Sequence, residues 1–174
     1  DQPDIVERAD GNPFYIEELV RCVVESGVDA LPESLVSIVQ SRLERLDPQT
    51  RRIARAASVF GVRSWRAGIC AVLGSGTTNR EIDASLDALT ACDFLTAQQT
   101  TTFPGQLELA FRHGLVREAA YAMLTDDDRR LGHVLAAEWL ESAGEQDALL
   151  LAHHYERGSD ARRAVPWFLE AAQA

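Results

Sequence analysis

The sequence predicts a mainly α-helical chain that carries one short β-hairpin and ends in antiparallel helix pairs. Three observations predict it. Apolar residues recur at intervals of three and four over most of the 174 positions. Capping residues followed by proline stand just ahead of two of those stripes, at Asn12-Pro13 and Asp47-Pro48. Only two stretches, Phe94 to Ala97 and Leu107 to Phe111, alternate as short strands do, and a polar turn containing Pro104-Gly105 joins them.

In chain order, Asp4 to Ala9 reads as a helix tail stopped by Gly11. Asn12 caps the next helix and Pro13 fits its first position, with Ile16, Leu19, Val20, Val23 and Val24 as an inward face and Gly27 as the stop. Leu31-Pro32 opens a further helix striped by Leu35, Ile38, Val39, Leu43 and Leu46. Asp47-Pro48 begins another, carrying Ile53, Ala54 and Ala57 and breaking at Phe60-Gly61. Ser64 is expected to cap a short helix through Leu73, and Asn79 to cap a helix with Ile82, Leu86 and Leu89 inward. Three helices followed by a hairpin is the order of a winged helix.

After Tyr121 the pattern is helical again. Asp126-Asp127-Asp128 puts negative charge at a helix start, where the dipole favours it, and Leu131, Val134, Leu135 and Trp139 are the expected buried face. A break at Ala143-Gly144 leads to a helix through His153-His154-Tyr155 that Gly158 ends. Asp160 opens the last, with Val165, Phe168, Leu169 and Ala172 inward, and Pro166 implies a kink or a later start. Helix pairs of this kind resemble the first units of a helical repeat, whose open apolar face takes further copies.

Composition bounds the function. The formal charge is −10, and all 17 basic residues are arginine. An acidic balance argues against a nucleic-acid surface, because affinity for DNA comes largely from neutralising phosphates. No apolar run approaches the roughly 18 residues of a membrane span, and no signal-peptide pattern is present. Cys22, Cys70 and Cys92 are odd in number and far apart, which reads as buried free thiols in a reducing cytoplasm. The Gly74-Ser75-Gly76-Thr77-Thr78 run lacks the Gly-Lys-Ser/Thr ending that holds phosphate and magnesium. The four histidines lack metal-ligand spacing, and no serine or cysteine stands in a nucleophile elbow. The would-be recognition helix, Asn79 to Cys92, sets Arg80 against Glu81, Asp83 and Asp87, a balance that DNA would repel. One short stretch does suggest chemistry. Arg112-His113 lies where a strand turns into a helix, beside the backbone N–H groups a helix start leaves free, and a histidine there can cap the helix or donate to a phosphate.

Three motifs together resemble one family. Glu7-Arg8-Ala9-Asp10-Gly11-Asn12-Pro13-Phe14-Tyr15-Ile16-Glu17-Glu18-Leu19 is similar to the segment after the nucleotide-binding core of bacterial signal-transduction ATPases of the STAND class. Leu31-Pro32-Glu33-Ser34-Leu35, Arg42-Leu43 and Leu46 match the next stretch. Phe111 to Tyr121, Arg129-Arg130 with His133, and Ala152-His153-His154 match the end of the winged helix and the entry to tetratricopeptide-like repeats. The likeness covers nearly the whole chain. It is closest to the AAA-like modules found beside adenylate cyclase, protein kinase or LuxR-type domains.

The resemblance implies a helical lid over residues 1–46, a winged helix over 47–124 and the start of tetratricopeptide-like repeats over 125–174. It implies that the chain is a cytoplasmic, non-catalytic piece cut from a longer signalling or transcriptional regulator, whose P-loop and magnesium-binding carboxylate lie N-terminal to Asp1. ATP or ADP would then be the cofactor of the whole protein only. Its partners would be its own P-loop core and the proteins held by its repeats, with neither nucleic acid nor membrane bound by this segment. Pro13 is similar to the proline of a Gly-x-Pro motif that packs near adenine. His113 is similar to the histidine of a Met-His-Asp motif that contacts the β-phosphate in the closed, ADP-bound form. Arg112 and Gly114 replace the Met and the Asp, and Arg112 offers a second phosphate donor. The rival reading is a DNA-binding winged-helix regulator with a helical dimerisation tail.

Overall fold

The computed structural model describes residues 35–173 together with Pro13, Ile16, Glu17, Val20 and Val24. The chain divides into two compact units, 1–46 and 47–174. In the first, helix α1 (Leu35–Arg45) buries Ile38, Val39 and Leu43, as its stripe predicts. Pro13, Ile16, Val20 and Val24 are helical, but Val20 and Val24 are exposed rather than inward. The helix tail at Asp4 to Ala9, the Leu31-Pro32 start and Cys22 lie outside the described residues.

The second unit is organised around α2 (Pro48–Phe60). The Asp47 carboxylate accepts from the Gln49 and Thr50 N–H groups at 3.0 Å, and Pro48 loses nothing at a position with no intrahelical acceptor. Ala54, Ala56 and Ala57 are buried and small, so neighbouring helices can approach closely. β1 (Arg63–Trp65) and α3 (Arg66–Leu73) follow, then a 3-10 turn over Gly74–Gly76. α4 (Asn79–Ala91) comes next, and then the hairpin of β2 (Leu95–Ala97) and β3 (Glu108–Phe111). The three strands form an antiparallel sheet in the order β1-β3-β2, with Ser64 opposite Leu109 and Thr96 opposite Ala110. β3 leads through Arg112-His113 into α5 (Gly114–Ala122), and α4 and α5 both pack on α2.

Two of the expected caps are corrected. Ser64 lies inside β1, fully buried with its Oγ unpartnered, and Trp65 holds the cap position of α3 without a side-chain bond. Thr78, not Asn79, caps α4. Its hydroxyl accepts from the Glu81 N–H at 3.3 Å while Glu81 accepts from the Thr78 N–H at 2.8 Å, a reciprocal pair one residue ahead of the expected start.

Helices α6 (Asp126–Ala143), α7 (Ala148–Arg157) and α8 (Ala161–Ala171) complete the unit, with α7 packed between α6 and α8. The buried face of α6 is Gly132, His133, Ala136, Ala137 and Leu140, while Leu131 is exposed and Val134, Leu135 and Trp139 are only half-buried. Close approach explains this correction. A Cβ on Gly132 would meet Val59 at 3.1 Å, so α6 meets α2 through its smallest side chains rather than its largest. α8 departs likewise. Ala164 is buried, Trp167 and Phe168 are half-buried, and Val165, Leu169 and Ala172 are exposed. The helix starts directly after Asp160, which accepts from the Arg163 N–H, and runs through Pro166.

Phe60, Trp65, Phe103 and Trp139 form one aromatic cluster, with Trp65 stacked on Trp139 at 5.5 Å between centroids. Gly68 lies against it, where a Cβ would stand 2.8 Å from Phe60 and 2.9 Å from Trp139. Beneath the hairpin, Glu108 is 1% exposed. It accepts from Trp65 Nε1 at 3.1 Å, Arg63 Nη1 at 3.2 Å and the Thr102 N–H at 2.7 Å. Burial pushes its carboxyl up, but the Thr102 and Trp65 bonds and the Arg63 charge outweigh it and hold the group below the usual range. Cys70 and Cys92 are thiols, half-buried rather than buried, and no helix among the described residues is long and apolar enough to cross a membrane.

Candidate functional site

The strand-to-helix turn is built by short-range bonds. The Arg112 N–H donates to the Phe94 carbonyl at 3.1 Å, which ties the end of β3 to the start of the hairpin. His113 then occupies the cap position of α5 in extended conformation, and its carbonyl accepts from the Val116 N–H at 3.1 Å. The half-buried His113 ring makes no capping bond to the helix. The N–H groups of Gly114 and Leu115 have no carbonyl to reach within the helix, so donors gather at this turn. Exposed Arg112 pairs with Asp93, a residue in left-handed backbone (φ 61°) just before β2. Of the three residues singled out in the sequence, the structure brings Arg112 and His113 together. Pro13 is helical and exposed in the other unit.

A second polar cluster lies on the helical side. The Tyr121 hydroxyl is 2.8 Å from His133 Nε2, and His133 Nδ1 is 3.1 Å from His154 Nδ1. Both rings are almost fully buried. Burial, then the neighbouring imidazole and the Arg157 and Arg117 charges, push His133 down to about 3. Burial followed by Arg157 and Arg117 pushes His154 down to about 4. Both rings are therefore neutral at pH 7, with one ring proton each. One Nδ1 must then donate to the other, so the run Tyr121–His133–His154 carries its hydrogens in a single direction, either toward His154 or toward Tyr121.

Around Tyr121 opens a cleft of about 450 Å³ lined by Arg117, Tyr121, Asp126, Arg129, Arg130 and Arg157. The Arg117 guanidinium sits 4.5 Å and that of Arg129 5.1 Å from the Tyr121 ring centroid. Arg117 Nε donates to the Ser58 carbonyl at 3.0 Å. Arg129 pairs with Asp126 and Arg130 with Asp127, both at 3.2 Å.

Sequence reasoning matched His133 and His154 to family-like motifs, set them aside as metal ligands, and gave them no role. They stand 21 residues apart on different helices, a separation with no periodic signature. A histidine amid the small residues of α6 was the available signal. Among the described residues, no group of three or more His, Cys, Asp or Glu side chains could hold a metal ion. Comparisons with protein-family models, with curated proteins and with solved structures find no match to this chain.

Proposed function

We propose that this chain is the non-catalytic regulatory segment of a STAND-type signalling ATPase. In this reading residues 47–124 are a winged helix that senses the nucleotide on a P-loop core, and the helix pairs after it begin a repeat array that holds partner proteins. The observation that carries the proposal is the turn at Arg112-His113. It joins the middle strand of the sheet to α5 and presents an imidazole that does not cap its own helix beside backbone N–H groups with no acceptor inside that helix. ADP bridging core and winged helix would favour a closed state, and exchange for ATP would release the helical part. The exposed apolar side chains Val165 and Leu169 on α8 suit a further repeat packed there.

The DNA-binding rival finds less support. Exposed positions on α4 include Arg80, Glu81, Asp83 and Asp87, so a major groove would meet more carboxylates than guanidinium groups.

The test uses the full-length protein with His113→Ala. A hydrogen bond to a charged group is worth roughly 1.5–3 kcal/mol, so losing it shifts the closed/open balance about 10- to 150-fold. ADP should leave correspondingly faster with little change in melting temperature. A clear drop in melting temperature with an unchanged ADP off-rate would make His113 scaffolding and end the proposal.

A further inference from the structure

We propose that the cleft around Tyr121 is a binding site for a small phosphorylated anion, gripped chiefly by Arg117 and Arg157. The protein carries a net −10, yet four guanidinium groups from three helices line this one cleft, against the single carboxylate of Asp126 in its wall. Arg129 and Arg130 are neutralised locally by Asp126 and Asp127. Among the described residues, no carboxylate pairs with Arg117 or Arg157. Arg117 is also half-buried, and burial followed by repulsion from Arg157 outweighs the nearby favourable charges and depresses its basicity. Two like charges facing one cleft repel each other, and only the Glu118 charge nearby offsets that of Arg117. An anion between them removes that cost.

Geometry says what kind of anion. The Ser58 carbonyl fixes Arg117 Nε, and the Tyr121 ring supports the guanidinium plane, so its terminal N–H groups are oriented before any ligand arrives. Planar forks set in advance suit the paired oxygens of a phosphate. A volume of about 450 Å³ exceeds a single inorganic phosphate and accommodates a diphosphate or a phosphorylated metabolite. Behind the cleft, the His133 and His154 rings are neutral in part because Arg117 and Arg157 face them. A bound dianion cancels that field, so the two imidazoles report its arrival. This site lies at the entry to the helix pairs, apart from the Arg112-His113 turn, and the inference does not depend on the nucleotide reading given above.

The experiment is calorimetry of this chain with inorganic pyrophosphate, inorganic phosphate and citrate, combined with NMR of the histidine ring nitrogens. Saturable one-to-one binding of pyrophosphate is expected, weaker for phosphate and weaker still for citrate, with shifts in the His133 and His154 resonances. Arg157 is exposed, so Arg157→Gln should fold normally and reduce affinity about tenfold or more, the loss expected of one charged bidentate contact. Arg117→Gln should do the same. Arg80→Gln, the same charge change on α4, should leave binding intact. Citrate binding as tightly as pyrophosphate would overturn the phosphate assignment. Equal affinity in folded Arg157→Gln, unshifted histidine resonances at saturation, or no saturable binding at all would overturn the site.

Discussion

Glu108 beneath the hairpin and the His133–His154 pair between α6 and α7 are both sealed from solvent, yet one is held charged and the other neutral. The difference lies in what surrounds them. Glu108 meets donors, namely an indole N–H, a guanidinium and a backbone N–H, and these replace the water it loses. The imidazoles meet each other, a phenol and the charges of two arginines, so no anion in their surroundings favours a second ring proton. Burial alone decides neither outcome. The sign of the neighbours does, and pH can therefore separate the two regions.

The largest expected effect comes from that separation. The histidines have an unfolded pKa of 6.5 and folded values of about 3 and about 4. Between pH 6.5 and those values the unfolded state binds more protons, so stability is full above pH 6.5 and falls as the solution is acidified. At pH 5 each imidazole should have cost roughly 2 kcal/mol relative to pH 7, about 4 kcal/mol for the pair. Glu108 works in a lower window, because its depressed carboxyl keeps its contribution until the pH falls below 4.5, the ordinary value of a glutamate. Urea unfolding at pH 7 and pH 5 measures the first loss, and His133→Gln with His154→Gln should remove most of it. A double variant with an undiminished loss would mean that the pair is not neutral in the folded state.

Next comes Glu108→Ala, expected to destabilise by about 3 kcal/mol at pH 7 because the buried Trp65 Nε1–H loses its acceptor. Glu108→Gln keeps an acceptor oxygen and should cost about half as much. An alanine variant within experimental error of the parent would show that the carboxylate is not what holds the hairpin down.

The elements with short-range signals were legible in the sequence. Asp47-Pro48 announced α2, and the alternation of Leu107 to Phe111 announced β3, because caps and pleats are decided by adjacent residues. β1 was not legible. Three residues show no period, and Ser64 before an apolar run is indistinguishable from a cap. The burial of Glu108 was hidden for a similar reason, since its donors come from β1 and from Thr102 in the hairpin turn. Arg112 and His113 could be singled out because they are adjacent and stand at a local boundary. The histidine pair depends on the rotation of α6, and that rotation is set by Gly132 against Val59 rather than by the large apolar residues. Hydrophobic periodicity finds a stripe but misses its centre when small residues make the contact.

The smallest predicted effect sharpens the neutral side of the comparison. Tyr121→Phe removes the hydroxyl beside His133 Nε2 and should cost about 1–2 kcal/mol in urea unfolding. It should also disturb the orientation of the two ring protons, visible as a changed tautomer pattern in the histidine nitrogen spectrum. An unchanged spectrum would show that the imidazoles set their own direction.

Gly68 gives the unit a mechanical property. With only a hydrogen between α3 and the rings of Phe60 and Trp139, the helices that precede the hairpin and the long helix that follows it are keyed together like meshed teeth. No slack exists at that junction to absorb a twist. A bulkier side chain at position 68 would act as a wedge, parting α3 from the rings that α2 and α6 set against it.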